Sequence, residues 1–533
     1  MQLLAFGLYF AVVLAIGIYF FLKSRAGGDK EYFLGGRQMG PWVTAMSAQS
    51  SDMSGWLLMG FPGSILAFGM GKVWIGIGLG LGTIANWILV ARRLRRFSQA
   101  ANDSITLPQY LTNRFASSNP TLKIACAVIF LVAFTVYVAS AFVAGTKVFL
   151  SVCPALQGHD MLAMIIFAAI ILVYTFLGGY KAVCWTDFYQ GIMMLCALLL
   201  VPIVMVSVFK YAPSLAVNPD MAGVWAQPEI LNQEGVVVQK ALQYPAFGNN
   251  PLASSWKDIV SGLGWGLGYF GMPHIIVRFM GIKSAKLVKK SAWVACVWVV
   301  LSLGAAISIA ILGRTFVLGG DAPIALAAKL FPCGNQQMVF VEIVNNIFPT
   351  FVAGILLAAI IAASMSTADS QLLVASSAFS SDFYQPIVRK GKATDAEMLW
   401  MGRFVVVVVA FIAFFIGASG LSKPGSWASS IMDMVENAWG LFGASFGPVI
   451  ILSLFWRRFN YSGALAAILV GAVADIAFFV LNKYGVGLGV YEIVPGFIAS
   501  FLAGIVVTLL TPVPGPEVQA IVEKALAPAD DED

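Results

Sequence analysis

Charged residues are scarce in this 533-residue chain, where Asp, Glu, Lys and Arg together make up only 11%. Hydrophobic residues account for 59%, and the mean hydropathy is +0.85. Soluble domains carry about 25% charged residues, so this composition excludes a water-soluble protein. It predicts a protein whose surface faces lipid.

Histidine and cysteine are also rare. The chain has two histidines and six cysteines, and no two cysteines form a Cys-x-x-Cys pair. This excludes the usual histidine and cysteine metal sites. The sequence also lacks a glycine-rich phosphate loop ending in Lys-Ser or Lys-Thr, which excludes the common form of nucleotide hydrolysis. We therefore expect neither an enzyme nor a cofactor.

Long apolar stretches dominate the sequence instead. A membrane-spanning helix needs about 20 mainly apolar residues, whereas barrel strands have about ten residues of alternating polarity. The chain therefore predicts an all-α integral membrane protein with about 13 transmembrane helices. These predicted spans cover 3–22, 41–70, 73–91, 124–150, 161–180, 187–209, 258–280, 291–313, 346–381, 400–418, 430–455, 461–481 and 491–511.

The Lys and Arg residues between the spans predict the orientation of the chain. If the N-terminus is outside, most of the 32 basic residues fall on one side, which the positive-inside rule makes cytoplasmic. The net charge of +6 then reflects topology rather than nucleic-acid binding. We predict a multi-pass protein of the cell membrane, with a cytoplasmic C-terminus and no nucleic-acid partner.

Two of the spans contain residues that disturb a helix in lipid. The second span carries Ser-Ala-Gln-Ser-Ser-Asp-Met-Ser-Gly-Trp over 47–56, and the seventh carries Ser-Gly-Leu-Gly-Trp-Gly-Leu-Gly-Tyr-Phe-Gly-Met-Pro over 261–273. Irregular backbone persists in a membrane mainly where it lines a cavity. Because these segments lie five spans apart, they predict discontinuous helices near 47–63 and 261–273, each opening one of two inverted five-helix repeats. The alternative is that the glycines serve close helix packing.

A third polar cluster, Ala-Ala-Ser-Met-Ser-Thr-Ala-Asp-Ser over 362–370, lies within the ninth span. Sodium prefers hydroxyl and carbonyl oxygens, as other hard cations do. Ser366 and Thr367 offer hydroxyls, and Ala363 offers a carbonyl about one turn earlier. Backbone released from the second span, at Ser50 and Met53, offers further carbonyls. These five residues predict a sodium site, unless the hydroxyls only bond back to their own helix.

Three motifs resemble those of one known family. Ser-Asp-Met-Ser-Gly-Trp-Leu-Leu-Met-Gly at 51–60, Gly-Trp-Gly-Leu-Gly-Tyr-Phe-Gly-Met-Pro-His at 264–274 and Met-Ser-Thr-Ala-Asp-Ser-Gln-Leu-Leu at 365–373 are similar to the sodium/proline symporters of the sodium:solute symporter family. The resemblance implies a LeuT-like fold and import of L-proline coupled to sodium by alternating access. The alternatives are a family symporter for another small solute, such as pantothenate, a sugar or another amino acid, and, more remotely, a membrane sensor or channel.

The resemblance also implies roles for single residues. The family's sodium ligands fall on the same five positions, and its sodium-sensitive carboxylate falls on Asp52, which we expect to organise the break without touching the ion. Aromatic side chains suit the pyrrolidine ring, and a ring face also favours a cationic amine by about 0.5–2 kcal/mol. The residues implied on the substrate side are Ser54, Gly55, Tyr137, Trp265, Gly266, Tyr269 and Pro273.

Two further carboxylates lie towards the cytoplasmic side of these residues. Asp187 begins the sixth predicted span, and Asp369 lies three residues after Ser366. Buried like charges repel, which favours a bound cation or a shared proton between them. We predict a second cation site formed by Asp187, Asp369 and Ser370, with Ser366 as a further ligand. The alternative is that Asp187 caps a helix and Asp369 faces water.

These features divide the chain into six segments. They are the first helix and a cytoplasmic loop over 1–40, the first repeat over 41–210, an external loop over 211–257, the second repeat over 258–456, the last two spans over 457–512 and a cytoplasmic tail over 513–533.

Overall fold

The computed structural model describes residues 1–23, 34–177, 179–211, 229–231, 237–240, 254–318, 335–423 and 425–527. Nearly all of these residues are helical. Within them, 10 helices are long and apolar enough to cross a membrane. This confirms the all-α, multi-pass membrane architecture. The other predicted spans coincide with shorter helical pieces, so the total of about 13 spans stays a prediction.

The described residues form the following α-helices, in chain order. Those before residue 212 are α1 (Gln2–Lys23), α2 (Pro41–Asp52), α3 (Phe61–Phe68), α4 (Val73–Ala85), α5 (Arg92–Ala100), α6 (Leu107–Arg114), α7 (Thr121–Val152), α8 (Asp160–Leu177) and α9 (Tyr180–Tyr211). Those after it are α10 (Trp256–Gly264), α11 (Pro273–Gly281), α12 (Val288–Leu318), α13 (Val339–Ile347), α14 (Thr350–Ser377), α15 (Asp395–Ser422), α16 (Ile431–Phe455), α17 (Tyr461–Lys483), α18 (Ile493–Leu510) and α19 (Pro516–Leu526).

Shorter elements join or extend these helices. Segments of π-helix cover Trp56–Gly60, Asn86–Ala91 and Ala378–Val388. Single 3-10 segments cover Gly35–Arg37, Met70–Lys72, Pro154–Leu156, Trp265–Phe270, Ala285–Leu287, Gln336–Met338 and Trp427–Ser429. In the predicted external loop, strands β1 (Glu229–Leu231) and β2 (Val237–Lys240) pair antiparallel, with an irregularity in register between Ile230 and Leu231.

The second predicted span is a discontinuous helix. Its first half, α2, begins at Pro41, where a missing N–H costs nothing. It ends at Asp52, because Met53 takes the non-helical angles φ −87° and ψ 78°. The chain becomes helical again at Trp56, and α3 ends at Phe68, because the next residue, Gly69, takes a φ of 91° that suits glycine.

The seventh predicted span is also interrupted. Its first piece, α10, ends at Gly264, and a 3-10 segment follows over Trp265–Phe270. Met272 is extended, with φ −75° and ψ 107°, as expected for a residue before proline. Pro273 then starts α11. Both predicted interruptions are therefore present at their predicted places.

The glycines of the second interruption also serve close helix packing. A Cβ atom on Gly266 would lie 2.4 Å from the Gly78 carbonyl oxygen, and one on Gly262 would lie 2.5 Å from the Trp74 Cβ. Helix α4 thus approaches the interrupted segment backbone to backbone. The glycines therefore both accompany a discontinuous helix and serve close helix packing, which were the two explanations considered for them.

Some helix boundaries differ from the predicted ones. The predicted ninth span, 346–381, is divided because α13 ends at Ile347 and Phe348, extended before Pro349, turns the chain into α14. Helix α9 begins at Tyr180, so Asp187 lies two turns inside it. The alternative that Asp187 caps a helix is therefore wrong. The predicted tail contains α19, and its last residues, 528–533, lie outside the described residues.

The helices divide into a central and a peripheral set. Helices α7, α14 and α16 are mostly buried within the protein, whereas α1 and α17 leave most of their apolar surface exposed. Exposed apolar side chains on the outer helices are what a lipid-facing surface requires. Helix α14 packs against α2, and α16 packs against the 3-10 segment Trp265–Phe270, so these central helices help to position the site described next.

Candidate functional site

The first interruption frees a backbone carbonyl that contacts α14. In an unbroken helix the Ser50 carbonyl would accept the Ser54 N–H, but that N–H bonds to the Asp52 carbonyl at 3.1 Å. The Ser366 hydroxyl reaches the Ser50 carbonyl oxygen instead, at 2.9 Å. The same hydroxyl lies 3.1 Å from the Ala363 carbonyl oxygen. Three of the five predicted sodium ligands therefore meet within hydrogen-bonding distance.

The other two predicted ligands lie beside this contact in sequence. Thr367 follows Ser366 on α14, and its hydroxyl oxygen is buried with no hydrogen-bond partner in the described part of the chain. Met53 is fully buried at the end of α2. Ser366 does bond back to its own helix, as the alternative expected, but it also crosses to α2. The donor set consists of hydroxyl and carbonyl oxygens, which a hard cation prefers.

Asp52 links the two interruptions. Its side chain is fully buried, and its Oδ2 accepts a hydrogen bond of 2.5 Å from the Tyr269 hydroxyl. Its carbonyl oxygen accepts the Trp56 indole N–H at 3.1 Å and lies 3.4 Å from the Tyr137 hydroxyl. Asp52 thus joins a residue of the second interruption to the backbone that carries Ser50 and Met53.

The second interruption presents an aromatic cluster held by Trp439 of α16. The Trp439 indole N–H donates to the Trp265 carbonyl at 2.7 Å. Its ring centroid lies 5.0 Å from that of Tyr269 and 6.3 Å from that of Trp265. Gly268 permits this approach, since a Cβ there would lie 1.9 Å from the Trp439 Nε1. Asn86 donates to the Tyr269 carbonyl at 3.0 Å.

The remaining predicted substrate residues act mainly through their backbone. Gly55 is packed against α7 and α14, because a Cβ would lie 2.7 Å from the Ala144 Cβ. Gly266 lies at the crossing with α4, and Pro273 starts α11. The Ser54 hydroxyl accepts the Trp56 N–H at 3.4 Å. These residues shape the two interruptions that border the aromatic cluster.

The residues of the predicted second cation site surround an arginine. The Arg278 Nη2 lies 3.2 Å from the Asp187 Oδ2 and 2.5 Å from the Ser370 hydroxyl. Ser47 donates to the same Asp187 oxygen at 2.7 Å. Arg278 lies near the end of the seventh predicted span, where a basic residue is typical of a cytoplasmic loop, but it is fully buried. Asp369 is fully buried too, so it does not face water in this conformation.

Several of these residues escaped the sequence analysis. Trp439 is one of 14 tryptophans and carries no local signal. Asn86 is a single polar residue within the third predicted span, a signal that could have identified it. Ser47 begins the polar segment 47–56, but nothing in that segment points to Asp187 as its partner. Arg278 looked like a charge at the end of a span, and its partner Asp187 is 91 residues away.

The sequence supports one family for this architecture. The model of the sodium:solute symporter family matches residues 32–471. The chain belongs to that family. An osmoregulated proline transporter, OpuE, of Bacillus subtilis is 39% identical over 515 residues, covering 96% of this chain and 94% of the relative. A sodium/proline symporter of Escherichia coli is 39% identical over 533 residues, covering 99% and 96% respectively.

Solved structures support the fold. A substrate-bound, outward-open Na+-coupled sialic acid symporter superposes with a TM-score of 0.72 at 18% identity, covering 96% of this chain and 98% of that one. A nucleobase-cation-symport-1 family transporter, MHP1, in a closed conformation superposes with a TM-score of 0.53 at 15% identity, covering 92% and 98%. These likenesses confirm the predicted LeuT-like fold.

Proposed function

We propose that this chain imports L-proline together with sodium, by alternating access across the cell membrane. The solute is suggested by relatives of nearly equal length that are named as proline transporters or sodium/proline symporters. The observation that carries the coupling is the Ser366 hydroxyl, which lies between the Ser50 and Ala363 carbonyl oxygens. A cation bound there would tie the first interruption to α14.

The proposed sodium ligands are the five residues predicted from the sequence: Ser50, Met53, Ala363, Ser366 and Thr367. The break leaves the Ser50 carbonyl outside the usual helical ladder, and the Thr367 hydroxyl has no partner within the described residues. Buried oxygens of this kind are costly unless a donor or a cation satisfies them. Sodium would supply that interaction, and its departure would leave the contact between α2 and α14 weaker.

The proposed solute site adjoins this one, at the second interruption. Trp265 and Tyr269 offer aromatic faces for the pyrrolidine ring. The start of α11 after Pro273 offers the positive end of a half-helix to the carboxylate. The Asp52 carboxylate accepts a hydrogen bond from the Tyr269 hydroxyl, so this bond connects the proposed solute site to the proposed ion site. That connection gives a physical route for coupling.

The proposal includes the orientation predicted from the basic residues, with the N-terminus outside and the C-terminus in the cytoplasm. Under that orientation, the segments around Arg37 and Lys283 lie on the cytoplasmic side, and those around Lys72 and Gln337 lie outside. Access of a membrane-impermeant label to single cysteines on either side would test it.

The decisive experiment is uptake of radiolabelled proline into proteoliposomes with and without an inward sodium gradient. We expect proline to accumulate above equilibrium only with the gradient, and a sodium ionophore to abolish the accumulation. Pantothenate, a sugar and other amino acids serve as competing solutes. Accumulation of one of these in place of proline would reject proline as the solute. Currents far above transporter turnover would instead indicate a channel.

A further inference from the structure

The start of α5, just after the third predicted span, carries arginines that border one cavity. Arg92, Arg93 and Arg96 line this cavity, whose volume is about 400 Å³. Its other walls come from the preceding π-helical segment and from the ends of α16 and α19, and they include Ile88, Leu89, Phe455, Ala525 and Leu526. Among the described residues, no carboxylate lines the cavity. The arginines therefore bring positive charges into one cavity without a counter-charge.

Two of these arginines are held in place by uncharged groups. The Arg93 Nη1 donates to the Leu454 carbonyl at 3.1 Å, and the guanidinium lies 4.3 Å from the centroid of the Phe455 ring. The Arg96 Nη2 donates to the Ala527 carbonyl. Both side chains are half-buried. Their positions are therefore fixed by the protein, but their charges are not neutralised by these contacts.

Arg92 lies between this cavity and a second one. It is exposed and makes no hydrogen bond or ion pair with the described residues, and it lies four residues from Arg96, where like charges repel. With Lys289 it lines the second cavity, of about 510 Å³. The rest of that lining is apolar and includes Ile88 and Trp293, which are 65% and 68% exposed. A ligand of Arg92 would therefore touch cations and lipid-facing apolar surface together.

We propose that these arginines bind the phosphate group of an anionic glycerophospholipid, whose acyl chains lie along the exposed apolar side chains of the two cavities. A guanidinium donates paired, charge-assisted hydrogen bonds to a phosphate. Basic pockets at the cytoplasmic ends of spans suit anionic headgroups. The positive-inside rule accounts for basic residues at the end of a span, but not for a cavity that they share with lipid-facing side chains.

A lipid bound there would connect three helices. The cavity walls belong to α5, α16 and α19, and α16 also carries Trp439, which holds the aromatic cluster. We therefore expect an anionic lipid to raise the unfolding temperature of the purified protein. The orientation proposed above assigns the lipid to the cytoplasmic leaflet. The binding itself depends neither on that orientation nor on proline transport.

The test measures how phosphatidylglycerol binds to the full-length protein in a mild detergent. Native mass spectrometry detects the retained lipid, and thermal unfolding over a series of phosphatidylglycerol concentrations gives its affinity. Arg92→Gln removes a charge without breaking a contact to the described residues, and it should lower the affinity about fivefold. Adding Arg96→Gln should bring the loss to about 25-fold.

Arg458→Gln is the matched control. Arg458 is half-buried like Arg96 and also donates to a backbone carbonyl, that of Leu509, at 3.1 Å, but it does not line the cavity. It removes the same charge from the same predicted side of the membrane, so its phosphatidylglycerol affinity should equal that of wild type. If the double variant does not fold, Arg92→Gln decides alone.

Four results would overturn the proposal. The first is wild-type phosphatidylglycerol affinity in Arg92→Gln and in the double variant. The second is equal binding of phosphatidylcholine, whose headgroup has no net charge. The third is equal stabilisation by inorganic phosphate, which would indicate a site for a free anion. The last concerns the acidic residues of 528–533, which follow Ala527. If phosphatidylglycerol bound only to a chain ending at Ala527, that tail and not a lipid would occupy the arginines.

Discussion

The Ser366 hydroxyl joins α14 to the first interruption through a hydrogen bond to the Ser50 carbonyl. Ser366→Ala removes one proposed sodium ligand, and Thr367→Ala removes another. We expect either change to weaken apparent sodium affinity about tenfold, since a lost hydrogen bond or ligand is worth about 0.5–3 kcal/mol. Proline affinity should fall at low sodium and recover at high sodium, because the coupling is reciprocal.

Proline binding measured over a series of sodium concentrations checks this expectation. Ser376→Ala is the matched control, because Ser376 lies on the same helix and is also buried, and within the described residues its hydroxyl bonds only to the Leu373 carbonyl of its own helix, at 3.1 Å. It should resemble wild type. If Ser366→Ala and Thr367→Ala lost the same proline affinity at every sodium concentration, Ser366 and Thr367 would not be sodium ligands.

Tyr269 contributes a ring and a hydroxyl that have different partners. The hydroxyl donates to Asp52, so Tyr269→Phe should lower sodium affinity and leave the aromatic face intact. A hydrogen bond to a charged group contributes about 1.5–3 kcal/mol, roughly a tenfold to hundredfold effect. Trp265→Ala removes a ring, and we expect it to impair proline binding while sodium binding without solute stays near wild type.

Sodium binding without solute and proline binding at saturating sodium separate these two effects. Tyr110→Phe is the control, because Tyr110 is equally buried and its hydroxyl bonds to Ser453, away from both interruptions. If Tyr269→Phe changed proline affinity and left sodium affinity normal, the Tyr269 hydroxyl would act by contacting the solute and not by holding Asp52.

Sequence reasoning identified Ser366, Ala363 and Ser50 because their chemistry is visible locally. Hydroxyls in the middle of an apolar span, and backbone next to a predicted break, both indicate oxygen ligands. Arg278 was not predicted as a buried residue, because an arginine near the end of an apolar stretch looks like a loop charge. Only the fold brings it to Asp187.

At the level of elements, the interruptions were predictable and several helix ends were not. Glycine, proline and a carboxylate within one apolar span have few explanations in lipid, so the breaks at 47–63 and 261–273 followed from solvation alone. Hydropathy does not resolve two consecutive helices. The predicted ninth span therefore runs over 346–381, although Pro349 separates the end of α13 from α14.

Helix α4 crosses the second interruption where Gly82 lies against Gly266. A Cβ on Gly82 would lie 2.3 Å from the Gly266 carbonyl oxygen, and neither backbone can move easily. Gly82→Ala should therefore destabilise the protein by about 1–3 kcal/mol, as overpacking does. Because the displaced segment carries Trp265 and Tyr269, we also expect proline uptake to fall.

Thermal unfolding in detergent and proline uptake both measure this effect. Gly80→Ala is the control on the same helix, since the nearest atom of the described residues to its Cβ, outside its own helix, would be the Leu303 Cδ1, at 3.8 Å. It gains the same helix propensity without the clash. If both variants unfolded at the same temperature and transported equally, the backbone contact at Gly266 would not limit packing.

In the whole molecule, contacts cover the site at both ends. On the predicted cytoplasmic side, Lys283 N–H donates to the Met39 carbonyl at 3.0 Å, which ties the start of α2 to the end of α11. Arg37 adds a bond of 2.5 Å to the Met280 carbonyl. On the predicted external side, the 3-10 turn at Gln336–Met338 lies against α3. Alternating access requires these two layers to open in turn.

The external layer depends on Gly63. A Cβ there would lie 2.5 Å from the Gln337 Cα. In Gly63→Ala the external layer therefore cannot close unless the 3-10 turn at Gln336–Met338 moves. We expect the variant to favour an outward-open state, because a clash confined to the closed state shifts the population away from it. Transport should fall for the same reason, while sodium binding without solute should persist.

Ser64→Cys, in a background without the six native cysteines, reports the opening. Ser64 lines the same cavity as Gln337 and Glu436, so a membrane-impermeant maleimide should label it faster in intact cells when Gly63→Ala is present. Gly60→Ala is the control, because its Cβ would be at least 3.5 Å from any neighbour. If Ser64→Cys were labelled at the same rate alone, with Gly63→Ala and with Gly60→Ala, the turn at Gln337 would not close the external path. Labelling that increased only after permeabilisation would place Ser64 on the cytoplasmic side and reverse the predicted orientation.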